Sequence, residues 1–274
     1  MRRAFTLIEL LVVVAVIGIL AGILLPVLSG AKAKGQKIIC LNNQRQLVLT
    51  TFLYAGDHDD AFPQNLGVAE TQQTVADGTY LNWVNNVMDW SLSPDNTNEF
   101  LVTAGDFGQY LVGGGSVYHC PADYTLSQDQ QNAGWERRTR SISMNAMVGN
   151  AGAFTRSGFN TNNPHYTQFF RLNQVPEPSE IFVFIEEHPD SIRDGYFLNR
   201  HYSRQWMDLP ASYHQGAANL AFVDGHVESH TWSEGSTRPP AQAYAVDLPF
   251  RLEREELEDY YWLMSRTSVR SGEY

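Results

Sequence analysis

The chain opens with an apolar run long enough to cross a membrane as a helix. Residues 5–28 read FTLIELLVVVAVIGILAGILLPVL, and a helix needs about 20 apolar residues to span a hydrocarbon core of roughly 30 Å. Arg2 and Arg3 precede the run with no acidic residue beside them. Because the positive flank of such a segment stays in the cytoplasm, we expect one span, with the rest of the chain exported.

Glu9 is the only ionisable residue inside this run. A carboxylate in hydrocarbon costs about 3 kcal/mol or more unless it finds a partner, so a functional role is its default interpretation. The run passes directly into polar, helix-forming sequence, unlike a secretory signal with its shorter apolar region and small-residue cleavage site. We therefore expect the span to be retained, and a plain signal anchor with an incidental Glu9 is the alternative.

The first residues resemble the prepilin family. A short basic leader, RRA at 2–4, is followed by FTLIE at 5–9 and the apolar helix. In that family a membrane peptidase cuts before the Phe and methylates the new amine, and the Glu five residues into the mature chain pairs with a neighbouring subunit's amine. The resemblance implies cleavage between Ala4 and Phe5, N-methylation of Phe5 and an assembly role for Glu9, although Ala4 replaces the usual Gly.

The helix is expected to continue as an amphipathic segment over residues 29–54, with Pro26 and Gly30 kinking or loosening it. The acidic sequence at 56–60 then ends it. Asp57 and Asp59 could hold calcium, because acidic residues oppose the macrodipole at a helix C-terminus and favour a nearby cation. We favour a solvated acidic turn over this calcium site.

The chain has two cysteines, Cys40 and Cys120. Their contexts, Cys-Leu-Asn-Asn and Cys-Pro, resemble those of large pilin-like proteins. Outside the cytoplasm a bridge between them would close about 80 residues, stabilise the fold by about 4 kcal/mol and pin a domain to the helix. Two separately buried thiols are the alternative, since sequence does not supply their separation.

Asp224-Gly225 lies between two segments of strand character and predicts a β-hairpin with a type I′ turn. In that register Phe222 faces Val227. Three residues that share the opposite face could bind zinc, since alternate strand residues point the same way. They are His226, Glu228 and His230. We favour a solvent-facing strand.

His214 precedes Asp224-Gly225 at the spacing H-x9-DG, similar to the motif that names a prepilin-type domain. Either His214 fixes the hairpin by hydrogen bonding, which we favour, or it joins Asp224 in binding a ligand. Acidic residues and a histidine at 186–190 follow a predicted strand at 181–185. They could form a catalytic or metal cluster, and a polar strand end is the simpler interpretation.

The predicted fold class is α+β and type IV pilin-like: a long N-terminal helix packed on an antiparallel sheet, with a loop-rich insertion over 67–115. The expected organisation is a prepilin leader at 1–4, a transmembrane and assembly half-helix at 5–28, an amphipathic half at 29–54, an exported domain at 55–232, and a linker with a helical tail at 233–274. The tail could dock on its own domain, which we favour, or on a neighbouring subunit.

A net charge of −11 argues against nucleic acid as a partner. No GxSxG elbow, Walker loop or CxxC motif is present, so we expect no enzyme and no cofactor other than the calcium considered above. A membrane-anchored metal-dependent hydrolase built on His214, Asp224 and His226 is a third and weaker hypothesis.

The resemblance implies a structural subunit of a type II secretion pseudopilus or a type IV pilus-like filament. Its partners would be copies of itself, other pilins or pseudopilins, prepilin peptidase and an inner-membrane assembly platform. Before assembly it would cross the inner membrane once, with its N-terminus cytoplasmic, and afterwards it would lie in a periplasmic or cell-surface filament. The alternative is a non-assembling, membrane-anchored module that binds polysaccharide or metal.

Overall fold

The computed structural model describes residues 6–111, 114–156, 158–243 and 248–272. Helix α1 (Leu7–Asp57) precedes a globular part made of a five-stranded sheet, short helices and many loops. This arrangement confirms the predicted α+β class. α1 runs three residues beyond the predicted end and is continuous through Pro26.

The remaining elements are short. The further helices are α2 (Val68–Ala76), α3 (Glu99–Thr103), α4 (Gln128–Asn132) and α5 (Glu258–Met264). The strands are β1 (Ile142–Asn145), β2 (Thr155–Arg156), β3 (Phe159–Asn160), β4 (Phe182–Glu186), β5 (Tyr196–Phe197), β6 (Gln205–Trp206), β7 (Ala217–Phe222), β8 (Val227–Thr231) and β9 (Phe250–Arg251).

The main sheet has the order β5-β1-β4-β7-β8. Its pairs are antiparallel except β1 with β5, which is parallel. The central strands β4 and β7 are buried along their whole length, as expected for apolar strands covered on both faces. Strands β2 with β3, and β6 with β9, form two small additional sheets.

Two buried clusters lie on opposite faces of the main sheet. Leu47 and Val48 of α1 pack on one face with Ile142, Met144 and Ala221. The pairing of β4 with β7 shifts register between Phe182 and Phe184, which marks a β-bulge. Because of this bulge, the consecutive residues Val183 and Phe184 both pack in this cluster. α1 is therefore held on the sheet by its second half.

The other face is covered by the C-terminal tail. Tyr260 and Leu263 of α5 are fully buried and pack with Phe182, Ile185 and Leu220. The tail docks on its own domain. The helix expected in this tail begins only at Glu258, because the preceding residues form β9 and a turn.

The DG hairpin is present, but its predicted register is wrong by one residue. Val227 pairs with Ala221, and the Phe222 N–H donates to the carbonyl of His226. The connection is therefore a three-residue loop, closed by Gly225 at φ 91°. A three-residue loop ending in a left-handed glycine competes with the two-residue type I′ turn, and here it prevails.

Candidate functional site

The first half of α1 has no covering from the rest of the chain. Among the described residues, α1 is the one helix long and apolar enough to cross a membrane, and its most apolar stretch is entirely unburied. The side chains from Leu7 (81 % exposed) to Leu28 (66 % exposed) face outward all around the helix. A helix that is apolar on every side is stable only inside lipid or among other helices.

Glu9 lies at the start of this exposed half. Its Oε2 accepts hydrogen bonds from the Thr6 backbone N–H at 2.9 Å and from the Thr6 hydroxyl at 2.8 Å. The Thr6 hydroxyl in turn accepts from the Glu9 N–H, completing a capping box. Both Thr6 donors use Oε2, and within the described residues Oε1 has no hydrogen-bond partner. The predicted cleavage residues Ala4 and Phe5 lie outside the described residues.

The second half of α1 is joined covalently to the domain. Cys40 forms a disulfide with Cys120, with their Cα atoms 5.3 Å apart, in the usual range of roughly 4.4–6.8 Å. Both cysteines are buried. The bridge fixes α1 to the segment before α4, because Cys120 lies 80 positions after Cys40 in the chain.

His214 lies directly beside this bridge. Its Nε2 is 3.5 Å from Cys120 Sγ and 3.1 Å from Glu186 Oε1. Glu186 is fully buried, and its Oε2 accepts from the Asn219 backbone N–H at 2.8 Å. The carboxylate at the end of β4 is thus satisfied by one imidazole and by the neighbouring strand, as a buried charge requires.

The favoured interpretation gives His214 a structural role by hydrogen bonding and names no partner. In the structure the His214 backbone N–H donates to the carbonyl of Ala217, the first residue of β7. The His214 side chain contacts Cys120 and Glu186, whereas Asp224 pairs with His226, whose Nδ1 lies 2.6 Å from Asp224 Oδ1. Asp224 and His226 are both partly exposed. From the sequence, Glu186 belongs to the cluster at 186–190, which does not predict its contact with His214.

Both ends of the H-x9-DG motif lie close to α1. His214 lies at the level of Cys40, and a Cβ on Gly225 would come within 2.9 Å of the Phe52 ring. Between them, the Gln44 side chain donates to the Asn219 carbonyl at 2.7 Å. β7 therefore packs on α1 and is hydrogen-bonded to it at Asn219.

The acidic cluster at 186–190 is buried and partnered within the fold. Burial raises the pKa of Glu187 to about 7, although hydrogen bonds from Ser143 and Ser191 and the nearby Arg140 guanidinium favour the charged form. The Asp190 carboxylate accepts from the backbone N–H groups of residues 242 and 243. These residues form a polar strand end that is buried and hydrogen-bonded within the fold.

The residues predicted as metal candidates are dispersed. Asp57 accepts from the Tyr110 hydroxyl at 2.9 Å, and Asp59 lies in the turn after α1 with φ 53°. On β8, His230 stacks on Trp262 at 3.5 Å between ring centroids, and burial lowers its pKa. In the part of the chain that the structure describes, none of these residues, nor Glu228 or His226, gathers with two further candidate ligands.

One group of four candidate ligands does meet within the described residues. Donor atoms of Cys40, Cys120, Glu186 and His214 lie within 4.8 Å of one another, and all four residues are buried. We call this group the junction cluster. It lies where α1 contacts the sheet.

Comparison with known proteins identifies the N-terminus. Residues 1–25 match the family model described as the prokaryotic N-terminal methylation motif. No curated protein and no solved structure matches the chain. The motif implies processing by prepilin peptidase and a pilin-like role, and pilin-like proteins are generally structural subunits without enzymatic activity. The chain thus carries a prepilin-type methylation motif on a long N-terminal helix followed by a globular α+β domain, the arrangement typical of type IV pilin-like proteins.

Proposed function

We propose that the chain is a structural subunit of a type II secretion pseudopilus or a type IV pilus-like filament. The exposure of the apolar half of α1 is the observation that carries the proposal. This half is long enough to cross a membrane and is not covered by the rest of the chain. The second half of α1 is fixed to the domain by a disulfide and a packed core. The methylation motif at the start of the same helix supports assembly over simple anchoring. A bare anchor would need neither the motif nor Glu9.

In the proposed pathway the subunit first lies in the inner membrane with its N-terminus cytoplasmic and its domain exported. Prepilin peptidase cuts between Ala4 and Phe5 and the new amine is methylated. An inner-membrane assembly platform then adds the subunit to copies of itself or to other pilins and pseudopilins. The apolar halves of the helices pack together and form the filament core.

Glu9 would set the axial position of each incoming subunit. In the filament core its carboxylate forms an ion pair with the methylated Phe5 amine of a neighbouring subunit. This pair neutralises two charges in surroundings poor in water. The capping box with Thr6 supports this role, because it holds Glu9 by Oε2 while Oε1 is available to the amine. An uncompensated carboxylate in the core would oppose assembly.

The test compares Glu9→Leu with Val12→Leu, an apolar substitution in the same exposed half. We expect both variants to enter the membrane fraction at the wild-type level, and only Glu9→Leu to be missing from sheared or purified filaments. Immunoblots of the two fractions provide the measurement. A normal filament yield from Glu9→Leu would overturn the proposed role of Glu9 in assembly.

A further inference from the structure

The junction cluster has the chemistry of a metal site as well as of a disulfide. Its donors come from four separate parts of the fold: Cys40 from α1, Cys120 from the segment before α4, Glu186 from the end of β4, and His214 from the segment before β7. Two cysteines with an imidazole and a carboxylate form a donor set that zinc binds tetrahedrally. The sequence places these four residues in three separate groups of candidates, and the structure brings them together.

The distances fit this geometry. Ligand atoms bound tetrahedrally to zinc at about 2.0–2.3 Å lie roughly 3.3–3.8 Å from one another. His214 Nε2 is 3.5 Å from Cys120 Sγ and 3.1 Å from Glu186 Oε1. Two of the distances between donor atoms are therefore already close to those of a zinc tetrahedron. Reduction of the disulfide would let the two sulfurs separate and make room for the ion between the four donors.

The surroundings would hold the ligands in place. Asn219 N–H donates to Glu186 Oε2, which leaves Oε1 to face the shared space. The carbonyl of Asn219 is in turn bound by Gln44 of α1. Such outer hydrogen bonds orient metal ligands and tune their affinity. Glu186 is also a fully buried carboxylate, and a divalent cation would compensate its charge more fully than one imidazole does.

We propose that the chain binds one zinc ion through Cys40, Cys120, Glu186 and His214 when the two cysteines are reduced. Zinc displaces the two thiol protons to solvent and binds His214 at Nε2, in the tautomer that carries its proton on Nδ1. The same junction between α1 and the sheet is then held by metal in the reduced chain and by the disulfide in the oxidised chain.

Conversion of the zinc-bound reduced chain to the disulfide-bonded chain requires an oxidant, and a small disulfide compound can serve as one. The zinc-bound thiolates form the Cys40–Cys120 bond and give two electrons to the oxidant. The oxidant takes up two protons and leaves as two thiols, and zinc is released. A newly exported subunit would in this way keep its helix docked before the disulfide forms.

The experiment uses the full chain in detergent, in its oxidised form and after anaerobic reduction and removal of the reductant. Both samples are incubated with zinc and desalted, and bound metal and free thiols are counted. We expect one zinc per reduced chain and none above background on the oxidised chain. In the reduced chain, zinc should slow the alkylation of Cys40 and Cys120 by iodoacetamide relative to the same chain without zinc. Absence of stoichiometric zinc from the reduced chain would overturn the proposal.

The ligand set is tested with variants. His214→Ala and Glu186→Gln should each weaken zinc binding to the reduced chain by at least about 10-fold. His226→Ala, which removes a partly exposed histidine of the DG hairpin, should leave the affinity unchanged. Equal affinity in His214→Ala and the wild type would contradict a site that includes His214.

Zinc X-ray absorption on the reduced wild-type chain needs no variant and so is independent of any folding defect. Two sulfur and two nitrogen or oxygen neighbours would support the site. Four sulfur neighbours would mean that zinc bridges thiols of different chains, and would overturn it.

Discussion

His214 Nε2 lies 3.1 Å from Glu186 Oε1, inside the fold and beside the disulfide that fixes α1. The two residues lie 28 positions apart in the chain and meet because β4 and β7 are neighbours in the sheet. The histidine of the H-x9-DG motif therefore serves the junction between helix and sheet, while Asp224 serves the turn.

We predict that His214→Ala destabilises the chain by about 3 kcal/mol, because Glu186 then stays buried without its imidazole partner. Chemical unfolding of the full chain in detergent measures the effect. His226→Ala, at a partly exposed position, should change stability by less than about 0.5 kcal/mol. Equal effects of the two substitutions would show that the contact with Glu186 contributes nothing specific.

Reduction of the Cys40–Cys120 bridge should lower the free energy of unfolding by about 4 kcal/mol, since the bridge closes a long loop in the unfolded chain. The comparison is made with a chelator present, so that no metal replaces the bridge. A double variant, Cys40→Ser with Cys120→Ser, serves as the control and should respond to neither oxidant nor reductant. Equal stability of the oxidised and reduced wild type would contradict a stabilising bridge.

Gly225→Ala should destabilise the domain by about 1–2 kcal/mol, because its φ of 91° is unfavourable for a residue with a Cβ. The added Cβ would also lie 2.9 Å from the Phe52 ring. Gly235→Ala is the matched control, since a Cβ there meets nothing within 4 Å. Unfolding midpoints of the two variants give the comparison, and a Gly225→Ala midpoint at or above that of the control would be the contrary result.

His201 predicts a specific acid sensitivity. Burial lowers its pKa from 6.5 to about 4, so folding favours the neutral ring. The contribution of the neutral His201 ring to the free energy of unfolding is complete above pH 6.5. As the pH falls from 6.5 through 4, the free energy of unfolding decreases by up to about 3 kcal/mol. In the folded chain the His201 ring stacks on Tyr166, and its Nε2 lies 2.9 Å from the Thr267 hydroxyl.

Unfolding of His201→Gln across the same pH range checks this expectation. The variant should lose less stability than the wild type between pH 6.5 and 4, and the exposed substitution His165→Gln should follow the wild type. Parallel curves for wild type and His201→Gln would assign the acid sensitivity to other groups.

The sequence was sufficient to predict the fold class, the long helix, one central strand and the hairpin. The apolar run and the periodicity after it predict α1, because helix length and amphipathicity are local properties. The aromatic and β-branched residues at 181–185 predict β4, and the DG dipeptide predicts a hairpin. These signals depend on neighbours along the chain.

The errors come from contacts that are not local. In the hairpin Gly225 lies close to the Phe52 ring of α1, a neighbour that the turn dipeptide does not encode. The pairing of His214 with Glu186 depends on which strands become neighbours in the sheet. The sequence pairs His214 with Asp224 only as a possible co-ligand, and the strand order instead places Glu186 beside His214.

Mass spectrometry of the N-terminal peptide from native membranes tests the proposed processing and assembly most directly. We predict a chain that begins at Phe5 with a methylated amine and lacks Arg2 and Arg3. A chain that retains Arg2 and Arg3 in cells with active prepilin peptidase would contradict processing, and would make α1 a simple membrane anchor.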